Sequence, residues 1–135
     1  MALPNGGGGY QVGDGNLNEL TLGYAAVPQT ATATATLTAA QVTGGMLVAN
    51  PSTSAATYTL PTGTAIDDVV TSAKVGSTFD LNLVNIGTSS GAVTLATATG
   101  LTDGGNAFVA TAITSSAMFR FRKTGDGTWT VYKVA

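Results

Sequence analysis

The stretch that decides the fold is residues 119–133, FRFRKTGDGTWTVYK. Large apolar residues alternate with polar ones on both sides of the connection at residues 124–127, TGDG. Successive side chains of a β-strand point to opposite faces of its sheet, and a short connection rich in glycine and aspartate favours a hairpin. The stretch therefore predicts an antiparallel hairpin, and its aromatic side chains are the best candidates for the core.

Shorter strands are predicted upstream, each next to turn residues. Met46–Ala49 is followed by Asn50-Pro51, and Tyr58-Thr59-Leu60 precedes another proline. Residues 79–83 and 93–96 alternate on either side of a Gly/Ser-rich connection and predict a second hairpin. Strands roughly ten residues apart, without regular intervening helices, predict one all-β domain. We expect an antiparallel sandwich or barrel, most simply a jelly-roll-like one.

A strict alternation of threonine with alanine occupies residues 30–38, TATATATLT. It predicts one strand with threonines on one face and Ala31, Ala33, Ala35 and Leu37 on the other. Flat threonine arrays that bind ice need a stack of repeated rungs, and this chain has one run without an internal period. An ordinary strand or a seam between subunits is the better interpretation.

One short helix is predicted at about residues 65–73. Thr64 precedes it as a candidate cap, and Asp67 follows three residues later, where an acidic residue suits a helix start. Apolar residues recur at helical spacing: Ile66, Val69, Val70 and Ala73. We expect this helix to pack on the sheet.

The first 28 residues differ in composition from the rest, with four consecutive glycines at positions 6–9. Glycine-rich chain loses too much conformational entropy on ordering to fold alone. Two interpretations remain, an unstructured tail and an arm that docks on another protein, and we favour the arm. The sequence thus predicts an extended arm over residues 1–28 and a single β-domain over 29–135. The candidate anchors of the arm are its scattered large residues: Tyr10, Val12, Leu17, Leu20, Leu22 and Tyr24.

The composition of the chain and its few charged residues exclude most types of catalytic and metal site. Charged residues are 9% of the 135, against about 25% in ordinary soluble domains, and the chain has no histidine and no cysteine. Nucleophilic triads and zinc sites therefore lack their usual groups. Each acidic residue has a local structural explanation, so we expect no enzyme, no cofactor and no metal. The acidic residues are Asp14, Glu19, Asp67, Asp68, Asp80, Asp103 and Asp126.

The net charge and the lengths of the apolar runs also limit the possible partners. A net charge of −2 disfavours nucleic acid and anionic membranes, and no apolar run approaches the roughly 20 residues of a membrane span. The first nine residues lack the pattern of a signal peptide, so we expect a soluble protein made in the cytoplasm. A surface of small neutral residues is cheap to desolvate and suits packing against other protein.

Two further clusters allow alternatives. Residues 103–106, DGGN, offer oxygen ligands for calcium, but the ordered ligand series of a calcium loop is absent and a plain turn is the better interpretation. Arg120, Arg122 and Lys123 lie together, with both arginines on one face of the predicted strand. They form either a solvated face that discourages edge pairing or contacts to acids of a neighbouring subunit.

A set of short motifs carries a family resemblance. They are YTLPT at residues 58–62, VGSTF at 75–79, LVN at 83–85, VTL at 93–95, SSAMFR at 115–120 and WTVYKV at 129–134. With the short helix between them, these motifs resemble a pattern in phage capsid decoration proteins and head fibres over roughly residues 55–135. The glycine-rich start is similar to the openings of such virion proteins.

This resemblance implies a β-rich cement protein, commonly trimeric, on the outer surface of the virion. Its partners would be the major capsid protein and further copies of itself, and it would bridge capsid subunits. The rival interpretation is a tail-fibre or head-fibre adhesin that binds a host glycan. Sugar sites use exposed aromatic residues, and Trp129 and Tyr132 fall on opposite faces of one predicted strand, so at most one of them is available.

Overall fold

The computed structural model describes residues 27–135, so all but the last two residues of the predicted arm lie outside the described part. Within that part the chain forms nine strands and two short helices. In chain order they are β1 (Gln29–Ala31), β2 (Ala35–Thr36), α1 (Ala39–Thr43), β3 (Met46–Ala49), β4 (Ala56–Thr59), α2 (Gly63–Val69), β5 (Thr78–Asn85), β6 (Val93–Ala96), β7 (Leu101–Gly105), β8 (Ser115–Gly125) and β9 (Thr128–Lys133).

The strands form two sheets that share one core. The larger sheet has the order β1-β3-β5-β8-β9-β7, and the smaller has the order β2-β4-β6. The chain passes from the larger sheet to the smaller in three successive pairs, β1 to β2, β3 to β4 and β5 to β6, so the fold begins as three stacked coils. Buried side chains from both sheets, such as Leu47, Leu83, Tyr58 and Leu95, belong to the same cluster.

The mostly β architecture is confirmed, but the expected antiparallel pairing is wrong for most strand pairs. Neighbouring coils pair in parallel in both sheets, and β7 also runs parallel to β9. Only the pairs β5–β8 and β8–β9 are antiparallel, so β8 alone runs against the other strands of the larger sheet. A jelly roll is built from antiparallel strands and does not describe this pairing.

The hairpin expected from residues 79–83 and 93–96 is also wrong, since β5 and β6 lie in different sheets. Their connection crosses from one sheet to the other. A short strand shows the same alternation of apolar and polar residues whether the next strand pairs with it or lies in a second sheet. The sequence pattern therefore did not distinguish a hairpin from a crossing between sheets.

The threonine–alanine run breaks into two strands instead of one. It bends at Ala33 and Thr34, so that β1 joins the larger sheet and β2 the smaller. Two residues of β4 hold this bend in place. The Tyr58 hydroxyl donates to the carbonyl of Thr32 at 2.8 Å, and the Thr57 amide donates to the Thr34 hydroxyl at 3.1 Å. The expected inner face is accordingly wrong for Ala33 and Ala35, which are exposed, and right for Leu37, which is buried, and for Ala31, which packs against the core.

The predicted helix is present but begins earlier and ends earlier. α2 is capped by Thr62, whose hydroxyl accepts from the Ala65 amide at 3.2 Å, and not by Thr64. The sequence analysis missed α1, although Thr38 and Gln41 form the reciprocal hydrogen bonds of a capping box before it. Its length of five residues is too short for a visible helical periodicity.

The closing hairpin is confirmed as β8–β9 and supplies the largest core side chains. Phe119, Phe121 and Trp129 are buried. The Phe121 ring stacks on Phe79 with centroids 4.8 Å apart, and Trp129 meets Phe79 edge to face at 5.3 Å. Burial of a large aromatic side chain contributes about 2–3 kcal/mol, so this cluster is a main stabilising feature.

A partly buried ion pair fixes α2 to this hairpin. The Asp67 carboxylate accepts hydrogen bonds from Lys123 Nζ at 2.9 Å, from Trp129 Nε1 at 2.9 Å and from the Gly127 amide at 2.6 Å. The backbones meet closely there, since a Cβ placed on Gly63 would overlap the carbonyl of Gly127. Asp67 therefore binds the hairpin turn; the expected role at the helix start is wrong.

Replacing Asp67 by asparagine keeps the shape of the side chain and removes its charge. We expect Asp67→Asn to lower the free energy of unfolding by about 2 kcal/mol, because Lys123 remains buried without its counter-ion. Urea denaturation measures the change. Asp68→Asn, at the exposed neighbouring carboxylate, is the matched control and should shift stability by less than about 0.5 kcal/mol. Equal unfolding midpoints for the two variants would contradict this role.

Stability should also fall in acid. The hydrogen bond from Lys123 holds the pKa of Asp67 below its ordinary 3.8, with burial opposing it and the Gly127 and Trp129 donors adding to it. A carboxyl whose pKa is lower in the folded state stabilises above its unfolded pKa, and this contribution is lost as the pH falls through the folded value. Urea unfolding at a series of pH values should show a decline that starts below about pH 5, and the decline should be smaller in Asp67→Asn.

Candidate interaction surface

The outer face of the larger sheet carries two rows of side chains across the strands, and each row has two apolar residues and one polar residue. One row is formed by Met46, Asn82 and Met118, and the next by Val48, Val84 and Ser116. The rows follow from strand alternation, because their neighbours Leu47, Leu83 and Ala117 point to the core and are buried.

Two adjoining grooves lie on this face. They have volumes of about 320 Å³ and about 390 Å³ and share Val84 and Ser116, so they form one continuous depression. The first is lined by Met46, Asn82, Val84, Ser116, Ala117, Met118 and Ala135. The second is lined by Val84, Asn85, Ile86, Thr114, Ser115 and Ser116.

Large apolar side chains on and beside the grooves remain open to solvent. Met46 is 39% exposed, Ile86 48% and Val134 49%. An exposed apolar patch on a soluble protein marks a site of interaction. We therefore define the outer docking face as Met46, Val84, Met118, Ile86 and Val134.

Charged residues flank this face along β8. The Arg120 guanidinium binds Asp80 with both Nε and Nη2, at 2.8 and 3.1 Å, and this hydrogen bond holds the pKa of Asp80 below its ordinary value although burial opposes the shift. Arg122 lies two residues further on the same face. The structure thus brings the two predicted arginines together, whereas Lys123 points inward to Asp67.

One end of the face is held in place by Asn85. Its buried amide donates to the carbonyls of Gly91, Thr111 and Ala112 at 2.9–3.1 Å, and its Oδ1 accepts from the Gly87 amide at 2.8 Å. The loop that follows β5 and the segment before β8 therefore converge on one side chain. The second groove is consequently formed by fixed backbone.

The edges of the sheets are short or blocked, which favours docking on the face. β1 has three residues, and the Gln41 side chain donates to its Thr30 carbonyl at 2.9 Å. β6 is bridged at Val93 by Thr111. β7 contains a bulge, and the Asp103 carboxylate closes the loop after it by accepting from two backbone amides. Such features discourage the addition of a further strand.

The remaining sequence expectations have mixed outcomes. The six arm residues, from Tyr10 to Tyr24, lie outside the described residues. Trp129 is buried and Tyr132 lies on the opposite face of β9, as the alternation predicted. Within residues 27–135 no group of three acidic, histidine or cysteine side chains is close enough to hold a metal ion, and no helix is long and apolar enough to cross a membrane.

The sequence analysis missed the docking face itself. A signal was present, because Met46–Ala49 and Leu83-Val84 are apolar at consecutive positions and therefore apolar on both faces of their strands. Comparison of the chain with protein-family models, with curated proteins and with solved structures finds no match.

Replacing Asn85 by alanine should destabilise the fold strongly. The Gly91 carbonyl and the Gly87 amide lose their partners, while the carbonyls of Thr111 and Ala112 keep one donor each, the Val93 amide and the Ser115 hydroxyl. We therefore expect the free energy of unfolding to fall by about 2–3 kcal/mol. Asn82→Ala is the matched control, because Asn82 is partly exposed and its one hydrogen bond, to the Gly45 carbonyl, is long at 3.4 Å. Urea denaturation of both variants tests this, and a smaller loss for Asn85→Ala than for Asn82→Ala would overturn it.

Proposed function

We propose that this protein is a virion structural protein that decorates the outer surface of a phage capsid and stabilises it by bridging major capsid protein subunits. The observation that carries a binding role is the outer docking face, an apolar depression on a sheet whose edges are blunted. The choice of a capsid as the partner rests on the resemblance of residues 55–135 to decoration proteins and head fibres.

The composition supports a mechanical role. A chain with 9% charged residues presents little surface that is costly to dehydrate, so many weak contacts form at low desolvation cost. On a capsid lattice repeated copies add these contacts by avidity. A clamp of this kind raises the energy needed to separate capsid subunits without turnover of any substrate. We propose homotrimers as the assembled form, on the strength of the resemblance.

The glycan-binding alternative loses one of its two aromatic candidates. Trp129 is 1% exposed, stacks within the core and donates its indole N–H to Asp67, so it is unavailable to a sugar. Tyr132 lies on the outer face beside Arg120 and is partly exposed. A single aromatic side chain is a weaker sugar platform than a continuous apolar depression is a protein site.

A charge placed in the groove tests the proposal. We expect Met118→Lys to reduce binding to capsids that lack the protein by at least tenfold, about 1.4 kcal/mol, because an ammonium group would be buried against apolar surface. Co-sedimentation with such capsids measures occupancy, and thermal release of DNA measures reinforcement. Thr57→Lys, at an exposed position of the smaller sheet, is the matched control.

Two outcomes separate the parts of this proposal. Unchanged occupancy for Met118→Lys would remove the outer docking face from capsid binding. Equal temperatures of DNA release with and without the unaltered protein would contradict the cement role itself, whatever the occupancy.

A further inference from the structure

The chain enters the larger sheet beside the first groove. Gln29 is in register with Leu47, so Pro28 precedes β1 at the level of Met46. Met46, Asn82 and Met118 then continue this row across β3, β5 and β8. The segment before residue 27 therefore starts at one end of the groove that this row lines.

The distances allow that segment to cover the groove. Three strand spacings of about 4.8 Å separate β1 from β8, about 14 Å in total. Seven extended residues reach about 23 Å. Residues 20–26 are therefore long enough to cross from the start of β1 to Met118.

The chemistry of residues 17–24, LNELTLGY, matches the outer docking face. Three leucines and a tyrosine suit a depression lined by Met46, Val84 and Met118. The five acidic and five basic residues from position 27 onward balance, so the formal charge of −2 comes from Asp14 and Glu19. Asp80 balances the charge of Arg120 beside the groove, and Arg122 on the same face of β8 adds a positive charge, opposite in sign to that of the leader.

We propose that residues 17–24 occupy the groove of their own chain in the free subunit. Attachment at residue 27 gives the segment a high effective concentration at this groove, which favours the same chain over a second copy. The inference goes beyond the proposed function, because it concerns the protein before assembly. The leader then covers the outer docking face, and a capsid subunit that binds this face displaces the leader and frees its apolar side chains.

The test uses the methionine methyl groups as NMR probes. Because the chain has no cysteine, a nitroxide label can be attached at a single introduced cysteine. Met46 and Met118 line the groove and Met1 is the only other methionine, so methyl-labelled methionine reports on the site in the full-length protein. A nitroxide on Thr21→Cys should abolish the Met46 and Met118 methyl signals by paramagnetic broadening. The same label on Asp126→Cys, at an exposed turn about 25 Å along β8 from Met118, is the control and should leave the Met118 signal intact.

A second variant separates binding from tethering. Leu20→Ser with Leu22→Ser in the Thr21-labelled chain should restore the Met118 signal, because the leucines supply the contact. Signals that survive the Thr21 label, or that stay broadened in the leucine variant, would overturn the inference. Broadening in a mixture of methyl-labelled chains and separately spin-labelled chains would also overturn it, since the occupant would then be a second copy. No capsid is present, so these outcomes are independent of the occupancy measurements.

Discussion

The carboxylate of Asp67 joins the closing hairpin to the coiled part of the molecule, and the rest of the structure depends on this connection. β8 is the one strand of the larger sheet, among the described residues, that runs against the others, and its hairpin lies between the third coil and β7. Asp67 binds the turn, the lysine of β8 and the tryptophan of β9 together.

This arrangement gives the larger sheet two unlike faces. Inward, the hairpin places Phe119, Phe121 and Trp129 in the core, where all three are buried. Outward, β8 brings Met118 beside Val84 and Met46 and so completes the apolar depression. Phe119, which belongs to the core, is thus next in sequence to Met118, which lines the groove. Strand alternation links these two roles.

Because few of the residues are charged, such a surface is easily dehydrated, which suits a protein that works by binding. Sheet edges that are short, bulged or bridged limit uncontrolled strand addition, while the face remains able to take a partner. The residues before position 27 carry a net negative charge and several large apolar side chains, and Arg122 adds positive charge beside the apolar docking face. The part of the chain before residue 27 and the docking face are therefore suited to each other as well as to an external partner. The proposals for the assembled and the free protein use the same surface at different stages.

The sequence by itself determined the β-rich class, the closing hairpin and the existence of α2, because these depend on local alternation, turn residues and helical spacing. It also placed Arg120 and Arg122 on one face and Trp129 and Tyr132 on opposite faces. Only the tertiary structure decided that the coils pair in parallel, that residues 30–38 divide between two sheets, and that Asp67 meets Lys123 and Trp129. These features join residues up to about 60 positions apart or depend on which sheet a strand enters, and no local pattern encodes either choice.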